Sequence, residues 1–440
     1  MTTSESDLQG DKYQPRRAGN PVRMRWQLLR AAAERGGLRL YGMAPARSLT
    51  RGAYRDARTS ELPALHGVPH WATADYGPTL LKVMPGNLLF SRKHRSSRTL
   101  QLSFEESRAI GQRAPRENGL EEAFARKYRP EADAYRAYDL EGNLLFAKDA
   151  DEDNLDPKDV RPEIDRSVLR RILLDAIPAD TVKWGHALAS VRDLSDGERE
   201  LTFANGDTAA VDILVGADGA KSHVRPLISP AVPIYHGVTG AESSIAPEDT
   251  KKPELQDIIS MVGDGSMGVL GGQRMLASQR NGDGRIPHVP LGASLRKLIK
   301  HCDDNAIYTR PLYHMPLDHK WKHVPGVTIL GDAAHVMSPF GGAGTNLAML
   351  DALELGIILA DAIDSGTIVE GREAAVAAWE EKRTDAANLV AGIVEPTVPA
   401  TIRPDARPEV IYQGMLEYMV RPELRRKACR DWIALKGKWL

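Results

Sequence analysis

Cysteine is almost missing from this chain: of 440 residues only Cys302 and Cys429 carry a thiol. That excludes a disulfide framework and cysteine-based metal spacing, and it points to a reducing, cytoplasmic compartment. No metal is expected. An excess of one charge is also missing. The net charge is -1, so no overall field recruits nucleic acid or an acidic membrane surface. No run of about 18 apolar residues occurs, so no membrane span is expected. The start lacks the basic-then-apolar order of a secretory signal, and Glu5, Asp7 and Asp11 argue against a transit peptide. The last absence concerns dinucleotide binding. Residues 1–105 hold no strand, G-x-G-x-x-G turn and helix in succession, and "AERGGLRLYG" has glycines without that spacing.

What is there divides into five stretches. Residues 1–105 are atypical: the segment 16–60 is crowded with arginine, and no clear period follows it. Residues 106–225 are orderly. "RPEIDRSVLRRILLDAI" puts Leu169, Ile172, Leu173 and Ile177 on one helical face. "TVKWGHALASVRDL" and "ELTFANGDTAAVDILVGADG" read as strands, with a hairpin at "NGD". "VDILVG" is an apolar run of the kind that forms a buried strand. Residues 226–323 read as a β-rich insert. Residues 324–375 return to a buried strand, "GVTILGD", followed by a helix from about 345 to 363. Residues 376–440 read as helical.

Two loops stand out. In "GDAAHVMSPFGGAGTN", Gly331 to Asn346, an aspartate follows a strand and a glycine cluster opens a helix. Ligands of α/β proteins bind at such strand ends. Asp332 can accept hydrogen bonds from sugar or polyol hydroxyls. Gly341, Gly342 and Gly344 let the backbone approach a flat ligand. Ala343, Gly344, Thr345 and Asn346 begin the helix, so amide N–H groups and the positive dipole end face that ligand. This suits a group that becomes anionic, such as the pyrimidine edge of a reduced flavin. His335 reads as structural. The second loop, "GADGAKSHVR", also follows a buried strand. There Asp218 stands at a cleft mouth, Ser222 caps a turn, and Arg225 brings positive charge. Arg166, in the first turn of its helix, has the reach to touch a phosphate or a ribityl chain. "GDGSMG", Gly263 to Gly268, fits G-x-G-x-x-G, but strand and turn follow it where a helix is needed, so it is read as a chance match.

"DGAKSHVR", "GDAAHVMSPFGGAGTN" with its following "DAL", and "RPEIDRSVLRRILL" resemble the motifs of FAD-dependent aromatic-ring hydroxylases (class A flavoprotein monooxygenases). The branch with the tetracycline-inactivating enzymes is the most similar, and the likeness covers roughly residues 106–400. The resemblance implies an α/β fold: a Rossmann-type FAD-binding domain, in parts at 106–225 and 324–375, interrupted by a β-sheet substrate domain at 226–323 and followed by a helical C-terminus. It implies FAD as cofactor, NAD(P)H as reductant, and O₂ as the source of one oxygen atom inserted into a hydrophobic or aromatic small molecule, as in secondary metabolism. Arg166 is then expected to touch FAD, Asp218 to lie near the dinucleotide, Asp332 to bind a cofactor hydroxyl, Gly342 to contact the cofactor, and Ala343 to Asn346 to flank the ring. No side-chain acid or base is evident. The departure at residues 1–105 leaves a second reading: a protein of the same fold with impaired or no redox chemistry, a ligand-binding or cyclase homologue.

Overall fold

The run predicted to be a buried strand, Ile213–Gly216 (β11), is buried at every position. In the computed structural model it pairs in parallel with Val327–Ile329 (β17) on one side and Leu40–Met43 (β1) on the other. Leu88–Phe90 (β2) and Val182–Trp184 (β7) complete a parallel sheet of order β17-β11-β1-β2-β7. The structure describes residues 112–395, except 150–162, 179–180, 195–196, 272–273, 292–300, 304–306 and 366–368, together with strands at 40–43, 88–90 and 99–100.

Register aligns the carboxyl ends of three neighbouring strands. Met43 stands beside Gly216, and Gly216 beside Ile329. The first hundred residues, unassigned from sequence, thus supply the central strand of the sheet and its neighbour β2. Parallel strands need cover on both faces, and alternation along β11 and β17 provides it. Ile213 and Val215 pack with Leu355, Leu359, Val376 and Trp379 from the helices Gly344–Asp364 (α5) and Val369–Val394 (α6). Leu214, Val327 and Ile329 point the other way, against Leu201, Phe203 and Val211. The latter belong to an antiparallel sheet of Leu188–Asp193 (β8), Arg199–Phe203 (β9) and Thr208–Val211 (β10). The hairpin expected at "NGD" joins β9 to β10, with Gly206 at φ 91°.

The expected helix is present as Arg166–Asp175 (α2) and buries Leu169 and Leu173. These pack with Phe124 of Glu121–Ala125 (α1) and with Met349 and Leu353 of α5. Ile164–Asp165 (β6), directly before α2, pairs with Thr99–Leu100 (β3).

The second large sheet has the order β16-β12-β15-β14-β13-β4-β5. Five of its strands fall in the insert: Ile234–Ile245 (β12), Ser266–Gly271 (β13), Arg274–Gln279 (β14), Ile286–Leu291 (β15) and Tyr308–His314 (β16). The other two, Tyr135–Tyr138 (β4) and Leu144–Lys148 (β5), come from the stretch expected to belong wholly to the cofactor domain. The insert completes itself on strands supplied earlier: β13 pairs with β4 in parallel, from Ser266↔Tyr135 to Val269↔Tyr138. The helix Gln256–Val262 (α3) covers one face, where Ile258, Ile259 and Val262 meet Ile245, Met267, Val269, Leu276 and Ile286.

"GDGSMG" lies between α3 and β13, so helix precedes strand, the reverse of a nucleotide-binding turn. Its glycines serve packing: a Cβ at Gly265 would stand 1.9 Å from the Ala134 oxygen. The helix α6 starts at Val369 and crosses the boundary expected at 375/376. Residues 396–440 lie outside the described ones.

Candidate functional site

The two loops singled out from sequence leave neighbouring strands at the same sheet edge. After β11, Asp218 is buried and turns back onto its own loop. It accepts hydrogen bonds from the Ser222 hydroxyl and, at 2.6 Å, from the His223 N–H. Burial pushes its carboxyl above the usual range, while the bonds from Ser222 and His223 act against that rise. Ser222 caps the turn as expected, accepting from the N–H groups of Val224 and Arg225.

Arg225 does more than supply charge. It is 4% exposed and donates to main-chain oxygens of both loops: Nη1 to Ala220 at 2.9 Å, Nε to Ala333 at 2.6 Å and Nη2 to Asp332 at 3.0 Å. A guanidinium forks rigidly enough to hold acceptors on two segments at once. The packing under this joint is equally close. A Cβ on Gly216 would fall 2.6 Å from Val224 Cβ and 2.9 Å from Ile329 Cγ2.

The other loop begins at Gly331, at φ 58°, a conformation that favours glycine. The short helix Asp332–His335 (α4) follows. Asp332 is partly exposed, whereas Ala333, Ala334 and His335 are buried. A network behind the loop fixes its path. Asp351, on α5, accepts from the Gly331 N–H at 3.0 Å, from His335 Nε2 at 2.6 Å and from Arg383 Nε at 2.7 Å. Burial opposes the charge on Asp351, but the Arg383 guanidinium and His335 outweigh it and hold the carboxyl well below the usual range. His335 is therefore a strut, as expected. Asp351 and Arg383 were not picked out as site residues; Asp351 belongs to the quoted "DAL", and Arg383 carries no motif signal.

The loop then turns at Gly342, at φ 61° and ψ 9°, and enters the 21-residue α5 at Gly344. No side chain caps this helix at Ala343, and its first N–H groups lie beyond the reach of the helix's own carbonyls. Ala343, Thr345 and Asn346 are buried, and Gly344 is partly exposed. Gly344 has neither a positive φ nor a crowded wall. Among the described residues a Cβ there would meet only Met337 Cγ, at 3.8 Å. The space in front of this turn is what the absent side chain keeps open.

Arg166 is the first residue of α2. Its Nε is buried and meets no acceptor among the described residues. The structure thus brings Asp218, Asp332 and the α5 entrance to one sheet edge, with α2 packed against α5.

The seven-stranded sheet holds polar groups that its sequence does not advertise. Glu242 and Arg310 form an ion pair on the face opposite α3, side chains 3% and 13% exposed. On the same face Ala137 and Leu270 are buried, with Tyr135, Phe146 and Met275 beside them. Glu242 and Arg310 lie 68 positions apart, so only strand pairing reveals them.

A FAD binding domain model matches residues 319–391. Monooxygenase asqM of Emericella nidulans is 26% identical over 324 residues, 56% of this chain and 71% of asqM. Monooxygenase penA of Penicillium thymicola is 28% identical over 267 residues, 44% of this chain and 61% of penA. Among solved structures, Klebsiella pneumoniae HpxO in complex with FAD and uric acid has the same fold, with a TM-score of 0.62 at 16% identity over 89% of this chain and 96% of HpxO. The residues present fit a flavin: among the described residues Arg166 has a buried N–H without an acceptor, Gly344 leaves open space, and the helix start is uncapped. Among the described residues no helix is long and apolar enough to cross a membrane. In sequence the chain is similar to monooxygenases, in fold it matches a protein solved with FAD, and one segment of it matches a FAD binding domain.

Proposed function

We propose that the protein uses NAD(P)H and O₂ to insert one oxygen atom into a hydrophobic or aromatic small molecule of secondary metabolism. One observation carries the reading: the loops after β11 and β17 are joined by Arg225 at the sheet edge, beside the uncapped start of α5. When bound, FAD supplies the electron storage and oxygen activation that no amino-acid side chain provides.

This chain's own residues position and shield. Asp332 accepts a hydroxyl of the cofactor's chain. Gly342 to Asn346 would hold the pyrimidine edge, since their amide N–H groups and the helix dipole favour a group that becomes anionic. Arg166 donates to the cofactor from α2. Asp218, with both oxygens engaged by its own loop, sets the shape of the cleft mouth near the dinucleotide. The sheet face bearing Ala137, Leu270 and Met275 gives an apolar wall for a planar substrate, and Arg310 with Glu242 gives it a polar end. Dry walls keep water from the reacting centre.

The test is oxygen incorporation. Purified protein with FAD and NAD(P)H, offered a panel of phenols and fused-ring aromatics under isotopically labelled O₂, is expected to give a product carrying one labelled atom. NAD(P)H oxidation with hydrogen peroxide as the only product across the panel would favour a reductase. Flavin binding without any NAD(P)H oxidation would favour the fold without redox chemistry.

A further inference from the structure

Three residues distant in sequence converge beside the loop that leads into α5. His236 lies near the start of β12, His314 ends β16, and Glu395 follows α6. The β12–β16 register shifts between Tyr235 and Thr239. His236 lies in that irregular stretch, and its ring centroid is 4.4 Å from that of His314. The Glu395 carboxylate meets His236 Nε2 directly. One donor atom from each of the three residues lies within 4.8 Å of the others.

The surroundings of these donors suit a cation. Glu395 is 4% exposed, and among the described residues no lysine or arginine stands within salt-bridge distance of it. A buried carboxylate without a cationic partner is costly. His314 Nδ1 is 2.8 Å from the Met315 oxygen. That carbonyl only accepts, so the ring proton sits on Nδ1 and the lone pair on Nε2. A backbone carbonyl in this role is the usual outer partner of a metal-binding histidine. The second Glu395 oxygen accepts from the Ser338 N–H at 2.8 Å, which orients the carboxylate in the same way. Two imidazole nitrogens and one carboxylate oxygen form a donor set that zinc accepts, with water as fourth ligand.

We propose that His236, His314 and Glu395 bind a zinc ion, which takes the place of the direct contact between His236 and Glu395. The ion clamps two strands of the substrate sheet to the end of α6 and, through the Glu395 bond to Ser338, to the loop that leads into α5. The proposal does not depend on the proposed oxygenation. Its ligands come from positions 236, 314 and 395, so no short spacing announces them.

Full-length, tag-free protein equilibrated with Zn²⁺ and then dialysed against a weak chelator is expected to retain one zinc per chain. X-ray absorption at the zinc edge is expected to give nitrogen and oxygen ligands with imidazole scattering. His314→Ala and His236→Ala are expected to weaken zinc binding by more than the roughly 10–100-fold that loss of an outer partner costs. His186→Ala, at a partly exposed histidine paired with Asp207, serves as control and is expected to leave binding unchanged. No retained zinc, a sulfur ligand in the wild-type spectrum, or equal affinity in the His314 and His186 variants overturns the proposal. The absorption measurement needs only wild-type protein and decides the matter even if a variant fails to fold.

Discussion

Arg225 donates from Nη2 to the main-chain oxygen of Asp332 at 3.0 Å, across 107 positions of sequence. Its Nε reaches Ala333 and its Nη1 reaches Ala220. One buried side chain therefore sets the distance between the loops after β11 and β17. Arg225→Lys keeps the charge but not the fork. Each bond from a charged donor contributes about 1.5–3 kcal/mol, and carbonyls left bare in the interior add to the loss. The variant is expected to lose about 2–4 kcal/mol of stability in urea unfolding and to bind FAD more weakly. Wild-type values for both would show that the joint holds nothing.

Two glycines at the site are glycines for different reasons, and alanine tells them apart. Gly216→Ala drives a methyl group into Val224 and Ile329, and overpacking of this kind costs about 1–3 kcal/mol. Its melting temperature is expected to fall. Gly344→Ala finds room in the protein itself but fills the space reserved for the ring. Its stability is expected to stay within about 1 kcal/mol of wild type, while FAD affinity falls by about tenfold or more. Thermal melting beside FAD titration reads both, and a reversed pattern would contradict the assignment of the cradle.

His319 gives the fold a pH dependence of definite sign. Burial holds its ring below the ordinary histidine value. Nδ1 faces the Ala334 oxygen and Nε2 faces the Ser229 hydroxyl, each at 3.0 Å. Nδ1–H donates to the carbonyl, and neutral Nε2 accepts from Ser229. The unfolded chain takes up a proton near about pH 6.5, while the folded ring resists it. This contribution is therefore complete above that pH and is lost as pH falls toward the folded value. The slope is at most about 1.4 kcal/mol per pH unit for one proton. His319→Gln is expected to flatten the urea-unfolding profile between about pH 5 and about pH 7. An unchanged slope would place the titrating group elsewhere.

The strands and helices nearest the site were legible because their periods are strong. "VDILVG" is buried throughout, and α2 buries Leu169 and Leu173 as its spacing requires. The turn at Ser222 and the structural use of His335 were legible from local chemistry. Position in the sheet was not. "LYGM" is too short to show a period, and its place between β11 and β2 comes from pairing partners some 170 and 45 residues away. The capture of β4 and β5 by the seven-stranded sheet is likewise a long-range event. Arg225 read as a source of charge because nothing in "SHVR" reveals that its acceptors lie on another loop. Glu242 with Arg310, and His236 with His314, are cross-strand neighbours whose spacings of 68 and 78 positions carry no pattern.

The most direct measurement is a FAD titration of the purified wild-type chain and of Asp332→Ala, followed by the flavin absorbance and fluorescence. Wild-type protein is expected to bind FAD and shift its spectrum. Asp332→Ala is expected to keep its far-ultraviolet dichroism and melting temperature yet bind at least about tenfold more weakly, since one charge-assisted hydrogen bond contributes about 1.5–3 kcal/mol. Absence of FAD binding in the wild type, or equal affinity in the two proteins, would contradict the placement of the cofactor at this sheet edge.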